Sequence, residues 1–463
     1  MSRIAGQIKL FFMGSAGASA EDERNRRRQR GVALTAAAAA ASKIFMTLIP
    51  LITVRVTLEY MGVELYGLWN AATSFFAMFT FADLGLGSGL QTELSRASAR
   101  DSAADNRRII SSIYILLTGI GAVLLVAFGL ASAFVDWPVV LNAQTGQAAQ
   151  LAGSVILVIV VPAVINIPAS LIQRTQLALQ EGYRYHLWQC FGSGLGLGLV
   201  LLAAWLDLGP VVMIGLVSSV TVVTALLNSI VYYGFQRPEL RPSLRFFDKA
   251  AAGAVLKTGL AFFVLSILTT LSLSVDNFIV GRVSGLEAVT PYALQYKIAG
   301  MISMVTLMLS TPMWSANGEA MSRGDYGWVK QATGKVVKIS LGFSLTAALG
   351  CLLLAGPALA ILGGGTVQVS YAVLSGMCLT QVLLSFTSPF FMVLNGAKII
   401  RFQIVMYLVY TVASLPLKLF LSGIFGPAAV AWTGALLYLA MVCIPTAIRA
   451  VKAVSEKGMD PII

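Results

Sequence analysis

Charge is what this sequence has least of. Only 11% of its 463 residues are Asp, Glu, Lys or Arg, where a soluble domain carries about a quarter. Hydrophobic residues make up 57% and the mean hydropathy is +0.82, so a soluble globular protein is excluded and a membrane protein implied. Histidine is nearly missing: His186 stands alone, makes no metal site by itself, and is expected to pack at an interface. Cys190, Cys351, Cys378 and Cys443 lie inside apolar runs without CxxC spacing, which argues against a disulfide framework or metal cluster and leaves them as packing residues. Nucleotide chemistry is missing too, because "TGKVVK" at 333–338 lacks the upstream glycine of a phosphate loop. There is no GxSxG, no HExxH and no pair of carboxylates in a large polar loop for acid and base work. Polar connections of roughly 20 residues are too short to fold a catalytic domain. The chain is therefore expected not to be an enzyme and to need no cofactor or metal.

What is present is long apolar runs. Crossing the hydrocarbon takes about 20 apolar residues in a helix. Twelve stretches qualify: 32–54, 66–88, 109–134, 148–172, 185–205, 210–234, 255–281, 289–316, 337–362, 367–394, 400–421 and 425–448. Unbroken runs such as "AVLLVAFGLASAFV" lack the period-2 alternation of a membrane barrel, so the expected fold is an all-α polytopic bundle of about twelve transmembrane helices.

The 32 Lys and Arg outnumber 20 Asp and Glu, a formal +12. The apolar bulk leaves no basic domain to hold nucleic acid, and the excess reads as topology. Short loops rich in Lys and Arg stay cytoplasmic. Taking alternate connections, one side collects 27 of these residues and the other only Arg55 and Arg282, which puts both termini inside. Residues 1–31 form a basic cytoplasmic or interfacial segment and 32–234 a six-helix N-lobe; 235–254 is an interlobe linker, 255–448 a six-helix C-lobe and 449–463 a tail. The first 31 residues do not read as a cleavable signal, because "IKLFFMG" is short and precedes the main arginine cluster. An interfacial anchor and a basic tail held by anionic lipid both remain open.

Sliding the second half over the first by about 223 residues superposes the seventh stretch on the first, the mark of a duplication. Gly62 then falls over Gly285, Glu64 over Glu287 and Trp69 over Tyr292; with a few residues inserted, Glu93 falls over Glu319 and Arg96 over Arg323. Two parallel six-helix repeats would place a substrate cavity centrally between the lobes. The glycine runs "DLGLGSG" at 83–89, "GSGLGLG" at 192–198 and "GGG" at 363–365 read chiefly as close helix packing.

Ionisable residues inside spans are expensive and are functional candidates. Lys43 falls near mid-bilayer, roughly 16 Å into its span, with no neutralising neighbour in sequence. Asp276 and Lys297 lie roughly 7 and 12 Å from the outer ends of consecutive spans, within reach of an ion pair. Arg55, Arg282 and Lys418 stand near outer ends, where snorkelling to headgroups competes with a role in the cavity. Asp83 closes the second span before its glycine run. A cationic wet cavity prefers an anionic guest, which makes Lys43, Arg55, Lys297, Arg282 and Lys418 the substrate candidates, and Asp276 and Asp83 the ion-coupling or structural ones.

The segments "ADLGLGSGLQTELSRA" at 82–97 and "DNFIVGRVSGLEAVTPYALQYKIAG" at 276–300 resemble the polysaccharide transport family of the multidrug/oligosaccharidyl-lipid/polysaccharide flippase superfamily. Asp276, Ile279, Val280, Gly281, Gly285 and Tyr292 carry the likeness; Thr290 and Pro291 depart from it where the family has a glycine two residues before the tyrosine. The resemblance implies alternating-access translocation of an undecaprenyl-diphosphate-linked oligosaccharide across the bacterial inner membrane, for O-antigen, capsule or exopolysaccharide assembly. It also implies membrane lipids, a polysaccharide polymerase and a chain-length regulator as partners; the oligomeric state, a monomer or an assembly, stays open. Two alternatives stay open: an ion-coupled exporter of small molecules, which should carry buried acids, and a non-transporting scaffold of a polysaccharide synthase complex.

Overall fold

The computed structural model describes residues 20–77, 85–100, 102–140, 143, 146–274, 276–284, 286–362 and 369–455. The described residues are helical, with no strand among them, and ten helices are long and apolar enough to cross a membrane. These ten fall on the third to twelfth expected stretches. The first expected stretch lies inside α1 (Ala20–Ala77), whose helical backbone is broken at Gly62, at φ 77°. Part of the second lies beyond the described residues.

Contacts divide the chain into two compact units, Leu34–Leu260 and the pair Met1–Ala33 with Ala261–Ile463. The first holds most of α1, α2 (Leu86–Ala97), α3 (Ala103–Ser132), α4 (Gly146–Ala169), α5 (Leu171–Ala178), α6 (Gly182–Trp205), α7 (Pro210–Val231) and the start of α8 (Lys249–Ser274). Leu86, Leu90 and Leu94 recur every fourth residue on α2 and meet Ile110, Ile113 and Leu117 of α3, all fully buried, as one helical face against another. A second cluster joins Met61, Leu65 and Leu68 of α1 to Val155, Ile156 and Ile159 of α4. At Gly89 a Cβ would stand 2.6 Å from the Val255 carbonyl oxygen, so only glycine permits this approach of α2 to α8.

The segment expected as a linker is folded rather than slack. It makes 3₁₀ turns at Pro238–Leu240 and Leu244–Phe246, and α3 holds it in place. The Ser243 and Asp248 amides donate to Ser111 Oγ and Ser112 Oγ at 3.1 and 2.9 Å, and Arg107 lies 4.1 Å over the Phe246 ring. Asp248 then caps α8 by accepting from the Ala250 and Ala251 amides.

The second unit contains α9 (Asp276–Ser284), α10 (Leu286–Ser322), α11 (Tyr326–Leu362), α12 (Tyr371–Gly396), α13 (Ile400–Phe425), α14 (Pro427–Tyr438) and α15 (Ile444–Ser455). Helix α13 shows how such helices sort their faces. Gln403, Tyr407, Tyr410, Thr411, Ser414, Lys418 and Ser422 point inward, while Leu408, Val412, Phe420 and Ile424 are exposed. Lipid is as apolar as leucine, so nothing drives Leu and Val inward, and the polar side chains take the protein interior where they find partners.

A neutral cavity and two buried ion pairs

The Leu34–Leu260 unit contains a partly open cavity of about 460 Å³. On α1, Met46, Ile49, Thr53 and Thr57 recur every third or fourth residue and so line one side. Each threonine turns its hydroxyl onto its own helix, Thr53 onto the Ile49 carbonyl at 3.0 Å and Thr57 onto that of Thr53 at 2.8 Å. Trp69 follows beyond Gly62. Asn166, Ser170 and Gln173 come from the α4–α5 junction, Tyr185, Trp188, Gln189 and Ser193 from α6, and Thr221, Thr224 and Asn228 from α7.

Several of these groups are already satisfied. Gln189 donates to the Tyr185 hydroxyl at 2.6 Å, and its Oε1 lies 2.9 Å from His186 Nδ1; that nitrogen is also 3.3 Å from Ser42 Oγ. Asn228 and Gln176 exchange amide hydrogen bonds at 2.8 and 3.1 Å. Asn166 Oδ1 and Thr224 Oγ1 are buried and have no hydrogen-bond partner in the protein. Glycine at 192 makes room for Thr224, whose Oγ1 would lie 2.8 Å from a Cβ there. No Asp, Glu, Lys, Arg or His is among the described lining residues.

None of the expected cationic set is among the described lining residues of this cavity. Lys43 is half-buried, in the turn of α1 just before Met46. Lys297 is exposed on α10, in the other unit. The side chains of Arg55 and Arg282 and the whole of Asp83 lie outside what the structure describes.

Asp276 and Lys297 were expected within pairing range, but the acid finds a different partner. At the start of α9, Asp276 Oδ1 accepts from Lys418 Nζ at 2.5 Å and Oδ2 from the Tyr292 hydroxyl at 3.3 Å. Lys418 does not snorkel; it is 1% exposed, reached across α13, and Gly434 of α14 leaves space for it, since a Cβ there would touch Lys418 Cε at 3.0 Å. Tyr296, Thr380 and Gln381 help line a small pocket of about 20 Å³ beside the pair. Two opposite charges held together cancel much of each other's field, so Asp276 already has its cation.

A second buried pair had no expectation attached. Arg28, 3% exposed, donates Nε to Glu319 and Nη1 to Asp325 at 2.5 Å, and its guanidinium stands 5.3 Å over the Trp328 ring. Arg323 also pairs with Glu319. Burial alone would lower the pKa of Arg28, but its hydrogen bonds and charge attraction to Glu319 and Asp325 prevail and raise it. In sequence Arg28 is one of five arginines between 24 and 30, with nothing to mark it. The cavity residues escaped notice for a different reason: they are uncharged, and hydroxyls and amides are common in membrane helices as helix-to-helix contacts.

A sequence model described as polysaccharide biosynthesis protein matches residues 35–316, more than half of the chain, and the model MatE matches residues 261–420. No curated protein matches in sequence. Among solved structures, a MOP superfamily transporter from Pyrococcus furiosus is similar at TM-score 0.76 and 16% identity, covering 94% of this chain and 97% of its own. A multidrug resistance MATE family transporter in an outward-facing conformation gives 0.74 and 16%, covering 93% and 97%. A mutant of the Vibrio cholerae MATE transporter VcmN gives 0.77 and 13%, covering 93% and 98%. At these identities the likeness establishes a shared fold.

Proposed function

The chain belongs to the polysaccharide biosynthesis protein family and is a multi-pass membrane transporter of the MOP superfamily; from that premise we propose that it is a flippase for polyprenyl-diphosphate-linked oligosaccharide. It moves this cargo from the inner to the outer leaflet of a bacterial inner membrane by alternating access, for O-antigen, capsule or exopolysaccharide assembly. The observation that carries the reading is the placement of the cavity: every described residue lining it, from Met46 to Asn228, lies within the matched stretch 35–316. Its lining supports the same reading. A polar cargo needs hydrogen-bonding side chains held away from lipid, and hydroxyls, amides and three aromatic rings provide them.

The likeness of residues 261–420 to MatE favours a second reading, an exporter of small cationic compounds. Such a guest calls for a carboxylate, and none is among the described lining residues, while Asp276 is occupied by Lys418. The flippase reading is the better supported. In it Lys43, one turn before the cavity on α1, meets the diphosphate, with Arg55, Arg282 and Lys297 as further candidates. Lys418 serves Asp276 instead.

The test is complementation. In cells that carry this gene and make a surface polysaccharide, its loss should abolish the polysaccharide and cause lipid-linked precursor to accumulate in the membrane. The wild-type chain should restore export, and Lys43→Ala should reduce it several-fold. Undiminished polysaccharide without the gene would contradict the reading.

A further inference from the structure

The folded segment between α7 and α8 belongs neither to the cavity nor to the buried ion pairs. We infer that it is a docking site for the headgroups of anionic phospholipids in the bilayer around the chain. The inference goes beyond the flippase reading and holds whatever the cargo is.

Position comes first. One spanning helix ends at Gln236 and the next begins at Lys249, so residues 237–248 run where headgroups lie. The inward side of the segment is fixed to the protein: Leu240 is buried in the cluster of Leu90 and Ile113, and the Arg241 carbonyl accepts from Arg107 Nε at 2.8 Å. The outward side mixes two chemistries. Phe235 and Leu244 are 80% and 78% exposed and Phe247 is exposed as well, and among them stand Arg241, Arg245 and Lys249, all exposed. Large apolar side chains beside basic ones fit the boundary between acyl chains and headgroups.

Charge then selects the lipid. Glu239 and Asp248 are the acids of the segment, and both are engaged. Glu239 lies 3.4 Å from Arg237 Nη1, an arginine that also pairs with Glu181 at 2.5 Å, and Asp248 caps α8. Arg241, Arg245 and Lys249 are therefore left without a carboxylate from their own segment, and basic groups held at a membrane surface favour anionic headgroups over zwitterionic ones. A soluble acidic partner would meet the arginines but not Phe235, which belongs to the spanning helix itself. Because the segment is already folded, little ordering entropy is lost on binding.

The test uses the full chain in nanodiscs of equal phosphatidylglycerol and phosphatidylcholine, with native mass spectrometry identifying the lipids it keeps on release. The wild type should keep phosphatidylglycerol about ten-fold over phosphatidylcholine at low salt. Arg241→Gln, Arg245→Gln and Lys249→Gln together should cut that preference to about two-fold or less, while Arg241→Lys with Arg245→Lys should retain most of it. Lys330→Gln, Lys335→Gln and Lys338→Gln remove the same charge from exposed positions on α11 and should leave the preference unchanged. Phe235→Ser with Phe247→Ser should lower retention of phosphatidylglycerol about three-fold, and undiminished retention would contradict the mixed apolar and basic site. Equal retention of the two lipids by the wild type would overturn the inference. So would equal losses in the two triple variants, because the preference would then follow net charge rather than this segment.

Discussion

Lys418 is an ammonium group sealed among tyrosines, and its partner decides what it costs. Removing one member of a buried pair strands the other, typically at about 3–5 kcal/mol, whereas replacing both by apolar groups of similar size is often close to neutral. Lys418→Met is therefore expected to lower the thermal midpoint of the purified protein sharply, and Asp276→Leu with Lys418→Met to recover most of the loss. A double variant no better than the single one would contradict the pairing. The same reasoning applies to Arg28, which serves two carboxylates at once. Arg28→Ala should destabilise by about 3 kcal/mol or more, and Arg28→Lys should recover only part, because an ammonium cannot present the two-pronged geometry of a guanidinium. At this scale the sequence is legible in kind but not in pairing. It identifies Asp276 and Lys418 as charges that need an explanation, because ionisable groups in spans are rare. It cannot say that Lys418 rather than Lys297 reaches the acid, since that depends on how α13 packs beside α9. Arg28 is less legible still, since the arginines around it share its chemistry and only packing singles it out.

At the scale of elements, apolar runs of spanning length stand out from composition alone, and ten helices lie where the third to twelfth runs place them. Their ends do not, because helices continue past the hydrocarbon as polar turns. Helix α3 starts at Ala103 rather than 109, since Ser102 Oγ accepts from the Asp105 amide and caps it. Helix α11 starts at Tyr326 rather than 337, where Asp325 accepts from the Trp328 amide. The glycine run at 83–89 reads as packing, and at Gly89 the structure bears this out. Gly89→Ala would drive a Cβ into the Val255 carbonyl oxygen, 2.6 Å away, and is expected to cost about 1–3 kcal/mol as overpacking. Gly194→Ala, with nothing within 4 Å of its Cβ, should leave the thermal midpoint unchanged. Equal effects at the two glycines would contradict the close contact of α2 and α8.

For the whole molecule, the charge of +12 predicts an orientation with both termini inside. Cysteine placed at Asp136 should react with a membrane-impermeant maleimide added outside intact cells, and cysteine at Arg241 only after the membrane is opened; labelling of both from one side would overturn the topology. The cavity was the least legible part of the molecule, because its amides, hydroxyls and aromatic rings come from five helices and converge only on folding. Whether that cavity belongs to a flippase is tested most directly in proteoliposomes that hold the purified chain and a fluorescent polyprenyl-diphosphate oligosaccharide. With the protein present, an impermeant reductant added outside should quench nearly all of the fluorescence, because cargo from the inner leaflet reaches the outer one. Quenching that stops at the outer-leaflet half, as in protein-free liposomes, while the same vesicles move ethidium, would contradict the account.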